Sequence, residues 1–214
     1  MDASGQRRLV VATANPGKLA EFRRLLPAEI TLVTLTDLSL PQAAETGSTL
    51  EANARSKALH AASASGLFAI SDDSGIEVDA LDGAPGVFSA RFTGEDANEQ
   101  QNREGLLNAL RDVPMGHRGA RFRCVVALAA ADGSVTTAEG TCEGSIGFVP
   151  AGEFGFGYDP IFVLPDGRTM AQVPRCEKDQ ISHRARAYQA ILPNLLVTFG
   201  LAQSEEGSND PWLN

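Results

Sequence analysis

Two different ways of joining strands are written into this chain, and together they leave few folds open. Leu9-Val10-Val11-Ala12-Thr13 is a short apolar strand that runs quickly into Pro16, a residue well tolerated in the first turn of a helix. Leu19, Phe22 and Leu26 then share one face at helical spacing. Far downstream, Asp132-Gly133 separates the strand-like segment 121–131 from a return over Val135 to Glu139, and Asp-Gly is strong hairpin chemistry. A hairpin pairs neighbouring strands directly, whereas a strand that feeds a helix must cross over to reach its next partner. A chain that uses both predicts an α/β fold, a mixed sheet flanked by helices.

Further elements fit that frame. A second helix is expected near Ser48, with Glu51 three residues on as a capping box and Leu50, Ala54, Ala58 and Ala61 on one stripe. A third is expected over 96–110, with Leu106, Leu107 and Leu110 inward. Ile161-Phe162-Val163 reads as another strand, and 182–199 as a last helix burying Ala185, Tyr188, Ile191, Leu192 and Leu195. There is no repeat and no linker, so 1–203 reads as one domain, followed by an acidic, frayed tail over 204–214.

The 214 residues suffice for a proper core, and the formal net charge of -9 disfavours a nucleic-acid partner, which needs a basic face. No run approaches the ~20 apolar residues that cross a bilayer, and residues 1–8 have no signal-like stretch. Cys124, Cys142 and Cys176 are odd in number and unpaired in spacing, which suits a reducing cytoplasm better than disulfides or zinc. An anionic small molecule then requires cations gathered locally, inside motifs.

Five stretches gather polar groups. In Ile70-Ser71-Asp72-Asp73-Ser74-Gly75, two acids close the apolar run from Leu67; a strand end there would present them to a hard cation, which joins carboxylates to phosphates. A solvated Asp-Ser-Gly turn is the plainer alternative. Thr13-Ala14-Asn15-Pro16-Gly17-Lys18 joins strand to helix, so free N–H groups and a positive helix end face one spot suited to phosphate; an ordinary turn with a surface lysine is the alternative. Glu45-Thr46-Gly47 precedes the second helix, on which Asn53 and Lys57 are four apart and share a face; dipole and surface chemistry would explain them equally well. Gly152-Glu153-Phe154-Gly155-Phe156-Gly157-Tyr158-Asp159-Pro160 alternates glycine and aromatic residues, suiting either a planar ligand or a flexible loop whose rings plug the core. Ser182 can cap the last helix, leaving His183 and Arg184 in its first turn against the dipole. His60 and His117 read as surface or packing residues.

With these stretches in order, and with Gly83-Ala84-Pro85-Gly86-Val87-Phe88-Ser89-Ala90-Arg91 between them, the chain resembles the inosine triphosphate pyrophosphatase family from residue 12 to 184. The resemblance implies an elongated two-lobed α/β fold with a central mixed sheet and a cleft between lobes, usually as a homodimer. It implies magnesium-dependent hydrolysis of ITP, dITP and XTP to the monophosphate and pyrophosphate, clearing deaminated purines from the nucleotide pool.

By matching motif, the resemblance makes Asp73 the general base and a metal-linked carboxylate, with Glu45 its metal partner. Thr13, Ala14, Asn15, Pro16, Gly17, Lys18, Lys57, Ser74 and Lys178 would surround the phosphates. Phe156, Gly157 and Tyr158 would form the stacking side, with Asp159 closing it, and His183 and Arg184 would read the purine. Asp72 either binds metal or holds its neighbours in place. The pattern departs at Ala44 and Cys176, where acids are common in the family. Two other readings are a Maf-type pyrophosphatase of modified pyrimidine nucleotides and a nucleotide sensor without catalysis.

Overall fold

The computed structural model describes residues 6–201. The expected acidic tail over 204–214 lies outside them. A six-stranded sheet has the order β2-β1-β3-β4-β5-β6. β1 (Arg8–Val11) pairs in parallel with β2 (Thr31–Thr34) and with β3 (Phe68–Val78). β4 (Gly119–Ala129), β5 (Val135–Ile146) and β6 (Phe162–Val163) continue antiparallel. The parallel steps are made by α1 (Pro16–Leu25) and α2 (Leu50–Ser65), and the turn at Asp132-Gly133 makes the long β4–β5 hairpin. The mixed sheet expected from the two kinds of connection is therefore present. α3 (Glu99–Ala109), α4 (Arg175–Ile181) and α5 (His183–Thr198) complete the helices used below.

The apolar residues separate into three clusters. Even-numbered β3 and β4 residues Ile70, Cys124 and Val126 pack with Phe22 of α1 and Tyr188 and Ile191 of α5. Odd-numbered Ala69, Val125 and Ala127 pack against Ala54, Ala58 and Ala61 of α2. This is the alternation that a strand buried on both faces requires. Farther along the same strands, Ile76, Val78, Ala120 and Phe122 join Leu106, Phe162 and Met170 in the third cluster. β3, β4 and β5 thus run through both lobes, and the polar stretch Ser71–Gly75 lies between their cores.

Several local expectations are corrected. The apolar run does not end at the two acids: β3 continues through them to Val78, because β4 pairs with it from Ala69↔Ala129 to Val78↔Ala120. The first strand stops at Val11, although Ala12 N–H still donates to the Ile70 carbonyl at 2.8 Å. Thr49, not Ser48, caps α2, its hydroxyl accepting from Ala52 N–H at 3.1 Å. α3 starts at Glu99 behind a capping box from Asn98 and Gln101, not near Asp96. β5 extends to Ile146, well past Glu139, because the β4 ladder supports it throughout. Ile161 belongs to a 3-10 turn, so the last strand is Phe162–Val163 alone. Ser182 does cap α5, its hydroxyl accepting from Ala185 N–H at 3.2 Å.

Candidate active site

β1 meets β3 only over Leu9–Val11 and Phe68–Ile70, so beyond Ile70 one edge of β3 lies free of β1. The chain leaves β1 there through Thr13–Lys18, and a cleft of about 610 Å³ opens beside the freed edge. Open α/β sheets bind ligands in this kind of crevice, where connections diverge. The volume lies within the ~300–1,000 Å³ typical of small-molecule sites.

The first wall is the loop into α1. Asn15 caps that helix, its Oδ1 accepting from Lys18 N–H at 3.1 Å, and Thr13 Oγ1 accepts from Asn15 N–H at 3.2 Å. Thr13, Ala14, Asn15 and Lys18 line the cleft. Pro16 and Gly17 do not; Pro16 is the first residue of α1, and a Cβ on Gly17 would stand 2.8 Å from the Phe156 ring. The lysine reaches across to Asp72, Nζ to Oδ2 3.1 Å.

Alternation along β3 sends its adjacent carboxylates to opposite faces. Asp73 faces α2, where Asn53 Nδ2 donates to its Oδ2 at 3.0 Å and Lys57 Nζ to its Oδ1 at 3.2 Å. The same ammonium lies 2.5 Å from Glu45 Oε1, and Asn53 Oδ1 accepts from Gly47 N–H at 2.7 Å, which pins the Glu45 loop. Asn53 and Lys57 are therefore part of the site and not merely a solvated face. Burial, with Glu45 nearby, pushes the Asp73 carboxyl up against the opposing pull of Lys57, Lys18 and Asn53. Glu45 is also raised by burial, but Lys57 outweighs this and its net shift is downward. Two acids beside one lysine are thus driven apart, the arrangement that separates a proton acceptor from a permanently ionised partner.

Asp72 is fully buried on the other face, toward α5. Its Oδ2 takes Arg184 Nε at 3.0 Å and the Lys18 ammonium, with the Cys124 thiol at 3.7 Å. Burial alone would raise its carboxyl, yet Lys18 and Arg184 hold it far below the usual range. Arg184 is not a surface cation opposing a dipole. It is 1% exposed, and its Nη1 donates to Glu21 and its Nη2 to Ser74 Oγ at 3.0 Å. Glu21 also faces Lys178 at 3.3 Å, and Lys178 pairs with Asp159 at 2.6 Å. The buried charges therefore alternate in sign from Asp159 through Lys178, Glu21, Arg184 and Asp72 to Lys18.

Beside these charges stands the aromatic loop. Lys178 Nζ lies 5.0 Å and Arg184 Cζ 5.8 Å from the Phe156 ring centre. Asp159 is pushed up by burial despite Lys178, and its Oδ2 accepts from Phe156 N–H at 2.9 Å. Tyr158 donates its hydroxyl hydrogen to the Ser89 carbonyl at 2.8 Å. His183 stacks on Phe122, centres 4.7 Å apart; burial, then Arg184 and Lys178, hold it well below an ordinary histidine, and it is neutral. Among the described residues its buried Nδ1 finds no hydrogen-bond partner. His60 and His117 lie outside the cleft.

Glu45 and Asp73 also pass a test of fit for a hard cation. Both aim an oxygen at one ammonium, so they converge closely enough to share a small ion. Two carboxylates leave most of its coordination to water and phosphate, as magnesium prefers. Among the described residues no three of His, Cys, Asp and Glu gather as a metal cage.

Glu21, Phe122 and Cys124 belong to this site and were missed on the sequence. The one sequence cue for Glu21 is its position three residues after Lys18, on the same side of α1.

The whole arrangement has relatives. A family model described as the Ham1 family matches residues 9–194. A dITP/XTP pyrophosphatase of Shigella flexneri is 48% identical over 193 residues, covering 88% of this chain and 98% of the relative. One from Exiguobacterium sibiricum is 47% identical over 196 residues, covering 90% and 99%. The solved HAM1 protein of Coxiella burnetii superposes with a TM-score of 0.81 at 42% identity, over 89% of this chain and 98% of that one. A nucleoside-triphosphatase / dITP/XTP pyrophosphatase from Mycobacterium abscessus gives 0.71 at 45%, over 87% and 99%. Matched by the family model over most of its length, and by relatives close to half identical, this chain belongs to the Ham1 family.

Proposed function

We propose that this chain hydrolyses ITP, dITP and XTP at the α–β phosphoanhydride, releasing the monophosphate and pyrophosphate, and so removes deaminated purines from the nucleotide pool. The observation that carries the reading is the seat of Asp73: a buried carboxyl raised in pKa, held between Lys57 and Asn53, in the same cleft as the Phe156 loop. The names of the relatives support the same activity and speak against the Maf-type alternative. A sensor would have no need of a proton acceptor placed in this way.

The triphosphate lies along Thr13, Asn15, Lys18 and Lys57, with Ser74 beside it, where the α1 N-terminus adds N–H donors. Asp73 accepts the proton of the attacking water, a role suited to a raised carboxyl. Magnesium bound by Glu45 and Asp73 would neutralise charge gathering on the phosphates. Lys178, grouped with the phosphates on sequence, serves the base end in this reading, because it pairs with Asp159 near Phe156. The base stacks on Phe156, flanked by Gly157 and Tyr158, while His183 and the cations near the ring favour a 6-oxo purine over adenine. Asp72 ties Lys18 to Arg184 and takes no part in metal binding.

The same proposal includes a single unit over 1–203, supported by strands shared between the lobe cores. It also includes a cytoplasmic homodimer that binds neither nucleic acid nor membrane. No helix among the described residues is long and apolar enough to cross a membrane, and the three cysteines are free. The test is pyrophosphate release from ITP, dITP, XTP, GTP, ATP and modified pyrimidine triphosphates, with and without magnesium. Magnesium-dependent release from the first three alone is expected; preference for a modified pyrimidine, or no release at all, refutes it.

A further inference from the structure

The aromatic loop is gripped by a pair of charges that this reaction scheme does not use. Gly157 donates its N–H to Glu99 Oε2 at 2.9 Å, and its carbonyl accepts from Arg103 Nη1 at 2.8 Å. Glu99 and Arg103 are one turn apart on α3 and lie 3.9 Å from each other, so a single helix face holds both sides of one residue. The N–H of Gly157 belongs to the peptide that follows Phe156. The peptide that precedes Phe156 is held as well, its N–H donating to Asp159 Oδ2 at 2.9 Å. Both planes around the Phe156 Cα are therefore tied, which fixes the backbone angles that aim the ring. The aimed ring stands against Gly17 at the opposite wall, where any Cβ would meet it at 2.8 Å. Gly157 itself adopts φ +60°, the left-handed region open to glycine, which lets both of its polar groups turn toward α3.

We propose that Glu99 and Arg103 are positioning residues for base recognition. Glu99 holds the peptide after Phe156 and Arg103 the one after that, and through them they hold the ring face on which the purine stacks, without touching the phosphates or Asp73. The inference rests on Phe156 being that stacking face. Its signature is a change in KM with little change in kcat, since a stack made equally in ground and transition states affects binding alone.

The test is steady-state hydrolysis of ITP by Glu99→Ala, Glu99→Gln, Arg103→Met and Phe156→Ala, and by Glu99→Ala combined with Phe156→Ala, with inorganic tripolyphosphate as competing inhibitor. Loss of one charge-assisted hydrogen bond at a half-open site is expected to raise KM about three- to tenfold in Glu99→Ala and Arg103→Met. kcat should stay within about twofold and tripolyphosphate inhibition should not move. Glu99→Gln keeps an acceptor oxygen and restores KM. In the Phe156→Ala background, Glu99→Ala should add less than about twofold, because the ring through which it acts is gone. Arg103→Met repeats the test from the other side, away from the first turn of α3, so helix fraying cannot imitate the result. A fall in kcat at constant KM, or full additivity with Phe156→Ala, overturns the clamp. If Phe156→Ala raises KM and neither Glu99→Ala nor Arg103→Met does, the clamp alone fails. If Phe156→Ala leaves KM unchanged, the stacking reading fails and the clamp with it.

Discussion

Replacing Arg184 with Met removes the guanidinium on which the buried charges depend. Its nitrogens donate to Asp72, Glu21 and Ser74, and the two acids are 0% and 5% exposed. Methionine keeps much of the stem, so the loss is chiefly electrostatic. Removing one partner of a buried ion pair costs about 3–5 kcal/mol, because the other charge is left in a poor solvent. Here Lys18 still faces Asp72 at 3.1 Å and Lys178 still faces Glu21 at 3.3 Å, which places the variant near the lower end of that range. For a chain of this size each kcal/mol moves the unfolding midpoint roughly 2–4 °C, so a fall of roughly 6–12 °C is expected at pH 7. The sign of the pH dependence follows from Asp72. A carboxyl depressed in the folded state contributes stability above its unfolded pKa and loses it as pH falls toward the folded value. Burial opposes that depression, and Lys18 and Arg184 produce it. Without Arg184 the carboxyl protonates more readily, so the deficit against the parent protein shrinks as pH falls from 7 toward about 4. Calorimetric scans of both proteins at the two pH values measure this. A midpoint shift under about 2 °C at pH 7, or a deficit that widens in acid, refutes the electrostatic account.

Three more predictions test other parts of the site. Asp73→Asn should lower kcat by about 10²–10⁴-fold, the share of a general base, while the unfolding midpoint shows the fold intact; ITP turnover near the parent rate would remove Asp73 from that role. Because burial, Arg184 and Lys178 keep His183 neutral, inhibition by inosine should be constant between pH 8 and 6, and a titration near the ordinary histidine value in that assay would contradict it. A Cβ on Gly75 would lie 2.1 Å from the Gly86 carbonyl oxygen; Gly75→Ala should therefore lower stability by ~1–3 kcal/mol in a urea titration, and an unchanged midpoint would mean that the 84–89 segment yields freely.

What the sequence disclosed was what local chemistry decides. Pro16 behind a short strand, the Asp132-Gly133 turn and the Ser182 cap each act within a few residues, and each stands where it was expected. Asp72-Asp73 was read as a strand end because polarity breaks the apolar run. What carries the strand onward is pairing with β4, some fifty residues downstream, which no local pattern reports. Arg184 was placed against the helix dipole and as a reader of the purine, but its burial in ion pairs was out of reach for the same reason: its partner Glu21 is 163 residues away. Glu99 gave no sign of its contact with Gly157, 58 residues on. At seven residues, α4 is too short to display a helical period, so its lysine was placed by motif and not by geometry. The cleft residues were legible as types, and their division between opposite faces of β3 was not.

That division gives β3 a parity. Successive residues of a strand belong to two separate environments, so Asp72 and Asp73, identical in chemistry, are not exchangeable neighbours. One is an anion that the fold never releases from its cations, and the other lines the cleft between Lys57 and Asn53. Deleting a single residue between Ile70 and Asp72 would move Asp73 into the seat of Asp72 and Asp72 into that of Ser71, setting a carboxylate before Ala54 where Ser71 now donates at 2.5 Å. Changes of length along this strand can therefore be absorbed only in twos, and the frame of the sheet guards the site as firmly as the identity of its residues does.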